Sequence, residues 1–162
     1  MVFERKEKEE LEAPKEVKTY FWTFLKWTWI ALPSIYFVIA LPGILERAEG
    51  ALSLFDLTTL FFQILNFVMA GNMFLIEPSE RSRSGVADKF LKIGALQQFF
   101  AENIFGLILI LLAWYQLPKV LPNDYEVEEK DMNYLKPKTN LVITIVSTIL
   151  SFAIMLVRII LI

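Results

Sequence analysis

Long apolar segments separated by short polar ones dominate the pattern of this 162-residue chain. Four of them reach about 20 residues, the length that a helix needs to cross the hydrocarbon core of a bilayer. They cover residues 20–41, 54–76, 93–117 and 140–162. Because a helix satisfies its backbone polar groups internally, the pattern predicts an all-α integral membrane protein with four transmembrane helices in a bundle.

The pattern also divides the chain into two regions. Residues 1–19 alternate acidic and basic side chains, which predicts a charged cytoplasmic tail or a short surface helix. Residues 20–162 form the membrane domain. The tail has no apolar centre and therefore lacks the composition of a cleavable signal peptide. We expect the first helix to remain in the mature protein.

Composition restricts the chemistry. Hydrophobic residues make up 56% of the chain, and the chain contains neither cysteine nor histidine. Disulfides, thiolate nucleophiles, imidazole bases and the usual haem, copper and zinc ligands are therefore excluded, and we expect no enzyme activity, no cofactor and no metal site. A net charge of -2 argues against nucleic acid as a partner.

The distribution of Lys and Arg predicts an orientation. In a four-span chain, 11 of these residues fall on the side of the N-terminus and five on the other side. The five are Arg47, Lys119, Lys130, Lys136 and Lys138. The positive-inside rule then places the protein in the cell membrane with both termini and the loop after the second span in the cytoplasm.

A polar stripe runs along three of the predicted spans. In the second span, Asp56, Thr59, Gln63 and Asn66 recur every three or four positions and share one helix face. The third span carries Gln98 and Glu102 in the same way, and the fourth carries Thr144, Ser147 and Ser151. Because lipid cannot solvate such groups, each stripe is expected to face protein or water.

Glu102 is the most informative residue of these stripes. Glu102 lies near the middle of the third span and so near the membrane midplane, at the depth of Gln63, Asn66, Ser147 and Ser151. An acid at that depth is a candidate for binding a proton or a cation. The alternative is that Glu102 only holds helices together, with Arg158 or Lys26 as its charge partner.

Two other charged residues have simpler explanations. Ser53 and Asp56 have the spacing of a capping box, which accounts for the carboxylate at the start of the second helix. Lys26 shares a helix face with Trp22 and Trp29, which is typical of an aromatic belt at the membrane surface. Because the polar stripes of the second, third and fourth helices are expected to face one another, the first helix should lie more peripherally.

Two functional hypotheses follow. The first is transport of a cation, a proton or a small polar solute through the polar seam, the region where these polar stripes meet. The transporter would be a homo-oligomer, or this chain would be the small subunit of a larger transporter. The pathway would comprise Glu102, Gln98, Gln63, Asn66, Ser147 and Ser151. The second is a non-catalytic accessory or assembly subunit, in which the seam joins helices and the apolar surfaces bind lipid and a larger membrane protein.

Overall fold

A computed structural model describes residues 20–47, 52–119 and 134–161, and the part of the chain it describes is helical with short connections. The helices are α1 (Tyr20–Ile35), α2 (Leu41–Arg47), α3 (Leu54–Phe74), α4 (Val86–Phe100), α5 (Ile104–Gln116) and α6 (Pro137–Leu161). A π-helical turn (Tyr36–Ala40) joins α1 to α2, and a 3-10 turn (Pro78–Glu80) precedes α4. The predicted tail, residues 1–19, lies outside the described residues.

Three helical stretches among the described residues are long and apolar enough to cross a membrane: Tyr20–Glu46, Leu54–Phe74 and Pro137–Leu161. The first comprises α1, the π-helical turn and most of α2. Pro42 has no N–H to continue the regular ladder, and the Leu41 N–H just before it reaches back five residues to Tyr36 O. The predicted helical class is confirmed, and the three stretches support localisation in a membrane.

The third apolar segment differs from the prediction. Residues 93–117 do not form one continuous helix, because α4 ends at Phe100 and α5 begins at Ile104. The two helices lie antiparallel, since the Arg83 N–H donates to Pro118 O at 2.8 Å. At about 1.5 Å per residue, neither helix reaches the roughly 30 Å of a hydrocarbon core. A bundle with four continuous spans is therefore not confirmed.

Five helices form a closed ring. Helix α1 packs against α3 and α5, α3 packs against α6, α6 against α4, and α4 against α5. Side chains from four of these helices meet in the centre, and each is at most 1% exposed: Trp29, Met69, Phe90 and Ile110. Gly94 leaves room for this centre, because a Cβ there would lie 3.1 Å from Met69 Cε.

The first span is the least buried of the three, in agreement with a peripheral position, but one face of α1 is directed inward. Trp22 and Trp29 are buried, and both rings contact Phe90, with centroids 6.3 and 6.2 Å apart. A lipid-facing aromatic belt would leave these rings exposed. Trp22 and Trp29 therefore belong to the core between the helices, where large apolar rings contribute strongly to packing, and do not form a lipid-facing belt.

The ring has two distinct ends. The basal end contains Tyr20, Phe74, Val86, Gln116 and Pro137, and the distal end contains Arg47, Leu54, residues 101–103 and Leu161. At the basal end the Phe21 N–H donates to Gln116 Oε1 at 2.8 Å. At the distal end the Arg158 guanidinium lies 4.1 Å from the Phe55 ring. Tyr20 and Leu161 therefore lie at opposite ends, whereas four spans would return the chain to its starting end.

The start of α3 follows the sequence prediction. Ser53 is the N-cap, and its Oγ accepts a hydrogen bond from the Asp56 N–H at 3.1 Å. The Ser53 hydroxyl also donates to Asp56 Oδ2 at 2.5 Å. Ser53 thus caps the helix, as the spacing predicted, and the Asp56 carboxylate is bound by the Ser53 hydroxyl.

Candidate functional site

The turn between α4 and α5 is closed by two backbone hydrogen bonds. The Glu102 N–H donates to Phe99 O at 3.1 Å, and the Asn103 N–H donates to Gln98 O at 3.0 Å. This pair of bonds is the Schellman motif, which ends a helix with one left-handed residue, most often glycine. Here the left-handed residue is Glu102, with φ of 54°. A side chain is strained in this conformation, which marks the position as a candidate for function.

The Glu102 side chain points outward from the turn. It is 63% exposed, and its Oε2 lies 3.4 Å from Arg158 Nη1. The Arg158 side chain is only 13% exposed because it packs on the Phe55 ring. Lys26, the other charge partner considered, lies over the Phe74 ring at the basal end. Glu102 is thus at the rim of the bundle and not inside a continuous helix.

Amide side chains lie in and beneath the turn, three of them buried and Asn103 half-buried. Gln98 Nε2 donates to Asn66 Oδ1 on α3 at 2.9 Å and also to Gln97 Oε1. Gln98 Oε1 accepts from Asn103 Nδ2 at 2.5 Å, and Asn103 Oδ1 caps α5 by accepting from the Gly106 N–H at 3.0 Å. We call Asn66, Gln97, Gln98 and Asn103 the amide cluster. It joins α3, α4 and α5 through uncharged groups.

Gly106 makes room for the amide cluster. It lies in the first turn of α5 and is buried. A Cβ at this position would overlap Gln98 Oε1 and would lie 2.6 Å from Asn103 Nδ2. Glycine therefore allows the two amides to approach the backbone of α5.

Three polar atoms near the amide cluster are buried without a hydrogen-bond partner among the described residues. They are Gln63 Oε1, Gln97 Nε2 and Ser151 Oγ. Gln63 precedes Asn66 by one turn of α3, on the side of the distal end. Leaving a buried polar group without a hydrogen bond destabilises a protein by about 1–3 kcal/mol, so hydrogen bonding of these atoms to a water molecule or a polar solute would be favourable.

The polar stripe of α6 lies against α4. Helices α4 and α6 run parallel, and Thr148 Oγ1, whose hydroxyl donates to Thr144 O at 2.9 Å, lies 3.4 Å from Ile93 O and so marks their relative level. Three residues further along α6, Ser151 reaches the level of Gln97, which is four residues beyond Ile93. Ser147 and Ser151 are both buried, at 3% and 0% exposure. Their small side chains let the two helices approach closely.

A second group of polar side chains joins α3 to α6 near the basal end. Asn72 Nδ2 donates to Asn140 O at 2.9 Å and to Thr144 Oγ1 at 2.8 Å, and Asn140 Nδ2 donates to Asn72 O at 3.0 Å. Sequence reasoning missed Asn72, which lies six residues after Asn66 and so about 240° around the helix. The reciprocal bonds fasten two helices.

The antiparallel helices α4 and α5 form a hairpin, and Asp88 holds its basal end together. Its Oδ1 accepts from Trp114 Nε1 at 2.7 Å, and its Oδ2 lies 2.8 Å from Lys92 Nζ. Burial alone would raise the pKa of the Asp88 carboxyl, but hydrogen bonds from Lys92 and Trp114 and the charges of Lys92 and Arg83 outweigh burial and lower it. Asp88 and Trp114 are 26 residues apart, and no periodicity in the sequence connects them.

The residues predicted to form a pathway are therefore only partly assembled. Asn66 and Gln98 are in direct contact, and Ser151 lies level with their neighbour Gln97. Gln63 lies one turn away with a free oxygen, and Glu102 lies at the rim beside Arg158. Gln97 and Asn103 belong to the same cluster but were not identified from the sequence. Such a group of neutral oxygens and amides can coordinate a cation or hydrogen-bond a polar solute.

Comparison with known protein families, with curated proteins and with solved structures found no match for this chain.

Proposed function

We propose that this protein is a multi-pass membrane transport protein that moves a cation, a proton or a small polar solute along the polar seam beside Glu102. It acts as a homo-oligomer or as the small subunit of a larger transporter. The observation that carries the proposal is the interruption of the third apolar segment above a cluster of buried amides with unsatisfied atoms. Helix ends that lie inside the membrane form substrate and ion sites in many transporters, and this turn brings two helix ends together.

The parts of the seam have different roles in this proposal. Gln98 and Asn66 supply the uncharged groups that replace water around the solute, and Gln63 contributes its unpaired oxygen. Ser147 and Ser151 keep α6 close enough to line the pathway. Neutral amide and hydroxyl groups suit a solute that must bind and then leave, because they hold it without a fixed opposite charge.

Glu102 acts at the rim. Its carboxylate faces Arg158 in this structure, and it changes protonation or cation occupancy as the solute passes. The 3.4 Å separation and the exposure of Glu102 support an exchangeable contact, because an exposed ion pair contributes only about 0–1 kcal/mol. The proposal involves no catalytic residue and no resident cofactor.

The test is flux through liposomes that contain the purified protein, with Na⁺, K⁺ and protons as probes. Glu102→Gln keeps the size and hydrogen-bonding capacity of the side chain but removes its charge. We expect this variant to assemble normally and to lose flux together with the pH dependence of the wild type. Glu46→Gln is the matched control, because Glu46 is another exposed carboxyl at the distal end. Unchanged flux and pH profile in a well-assembled Glu102→Gln protein would remove Glu102 from the mechanism.

A second candidate function is that of an accessory or assembly subunit. The observation that favours it is the setting of the Glu102–Arg158 pair, which lies beside exposed apolar side chains. Phe99 is 64%, Ile104 73% and Phe105 52% exposed. Lipid solvates a carboxylate poorly, so a larger partner protein would cover this surface in the assembly. Purification in mild detergent discriminates between the two: a stoichiometric larger protein supports the subunit, and a lone oligomer supports transport.

A further inference from the structure

The helical hairpin changes how the chain meets the membrane. Helices α4 and α5 have 15 and 13 residues and lie antiparallel, so their outer ends meet at the basal end. The base is closed by Arg83, whose N–H donates to Pro118 O at 2.8 Å and whose Nη2 donates to Tyr115 O at 3.1 Å. A hairpin of this length enters a bilayer and leaves it on the same side.

The turn of the hairpin is compatible with membrane depth. Irregular backbone is tolerated there only where its polar groups are satisfied or covered by protein. The N–H groups of residues 101, 102 and 103 donate to the carbonyl oxygens of Gln97, Phe99 and Gln98, respectively. The amide cluster is covered by α3, α4 and α5. The turn therefore exposes few unsatisfied backbone donors.

Positive charge is concentrated at the basal end. Eight of the ten Lys and Arg residues in the described part of the chain lie there: Lys26, Arg81, Arg83, Lys89, Lys92, Lys119, Lys136 and Lys138. Of the ten described residues, only Arg47 and Arg158 lie at the distal end, so the distribution is 8 to 2. Four continuous spans would divide the same ten residues 6 to 4.

Exposed aromatic residues mark the same end. Tyr20, Trp27 and Tyr115 are 69%, 56% and 76% exposed near the basal end. Tyr and Trp prefer the level of the lipid headgroups, and Lys and Arg in short loops prefer the cytoplasmic leaflet, whose anionic lipids attract them. Both preferences indicate that the basal end lies at the headgroup level of the cytoplasmic leaflet.

We infer that the basal end is the surface that meets the anionic cytoplasmic leaflet, with α4 and α5 as a re-entrant hairpin inserted from that side. The chain then crosses the membrane three times, through α1 with α2, through α3 and through α6. Its N-terminal segment is cytoplasmic and Leu161 lies on the opposite side. The turn with Glu102 points away from the cytoplasm. This inference does not depend on transport.

Cysteine labelling tests the inference directly, because the natural chain contains no cysteine. Thr139→Cys and Leu161→Cys each introduce one cysteine at an exposed residue, and the two residues lie near opposite ends of α6. In intact cells we expect an impermeant maleimide to label Leu161→Cys and to spare Thr139→Cys, which becomes reactive after permeabilisation. Ser84→Cys is the matched control, since both topologies place this exposed residue in the cytoplasm.

The opposite pattern contradicts the inference. Labelling of Thr139→Cys from outside, with Leu161→Cys protected, would restore four spans with both termini in the cytoplasm. Labelling of Ser84→Cys from outside would invert the whole orientation. An alkaline phosphatase fused after Ile162 gives a second readout that does not depend on thiol accessibility. It is active only outside the cytoplasm, so an inactive fusion in a folded, membrane-inserted protein would also overturn the inference.

Discussion

The two ends of the α4–α5 hairpin are built on different principles. At the base, one carboxylate, Asp88, bridges Lys92 and Trp114 through short hydrogen bonds. At the tip, Glu102 adopts a left-handed conformation, and Nε2 of Gln97, the amide beneath it, has no partner among the described residues. The base is arranged for stability. Arg83 Nε at the base also lacks a partner among the described residues, so the tip is distinguished by strained backbone beside an unsatisfied amide, a combination found at functional sites.

Removing Asp88 should have the largest effect on stability. Asp88→Ala leaves the Trp114 N–H and the Lys92 ammonium without their acceptor. Because hydrogen bonds to charged groups contribute about 1.5–3 kcal/mol, we expect a loss of about 2 kcal/mol in the free energy of unfolding. Chemical unfolding in mixed lipid and detergent micelles measures this change. Glu77→Ala, at an exposed carboxyl of the same end, is the control and should change stability little.

The same residue predicts a dependence on pH. Since the pKa of Asp88 is lower in the folded protein than its ordinary value of 3.8, its ionised form stabilises the fold above that value. This contribution is lost as the pH falls through the lowered folded pKa. The wild type should therefore lose stability on acidification by more than Asp88→Ala does. Parallel curves for the two proteins below pH 5 would show that the Asp88 bridge does not stabilise the hairpin.

Overpacking the tip should have the next largest effect. In Gly106→Ala the new methyl group displaces Gln98 Oε1 and Asn103 Nδ2, and overpacking of this kind costs about 1–3 kcal/mol. Gly71→Ala is the matched control, because Gly71 is an exposed glycine inside α3 with nothing within 4 Å of an added Cβ. That change should stabilise by about 0.5–1 kcal/mol. Effects of the same sign would contradict the placement of the amide cluster against α5.

The base and the tip also differ in how far sequence reasoning reaches. Apolar length predicted the helical class, and the spacing of Ser53 and Asp56 predicted the cap that the structure shows. The turn at residues 101–103 was missed because it is short and is flanked by apolar residues on both sides. Glu102 was assigned to mid-membrane by counting a constant rise through a helix that in fact ends before it.

The amide cluster illustrates a second limit. A polar stripe selects one helix face, and that criterion found Gln98 but not its neighbour Gln97, which points about 100° away around the helix. Both side chains are fully buried, because α4 is enclosed by α6 on one side and α5 on another. Periodicity identifies a buried residue only when the opposite face is exposed. Asp88 and Trp114 escape detection because the hairpin, and not local spacing, brings them together.

The smallest expected effect separates the two properties of Glu102, its strained backbone and its charge. Glu102→Ala removes the contact with Arg158 but keeps a Cβ in the left-handed conformation, so stability should fall by at most about 1 kcal/mol. Glu102→Gly removes the same contact and also relieves the backbone, which for a non-glycine residue costs about 1–2 kcal/mol. Glu102→Gly should therefore be more stable than Glu102→Ala by about 1 kcal/mol in the same unfolding measurement. Both variants should show equally reduced flux. Equal stability of the two would show that the backbone at residue 102 is not strained, and wild-type flux in Glu102→Gly would show that the carboxylate does not act in transport.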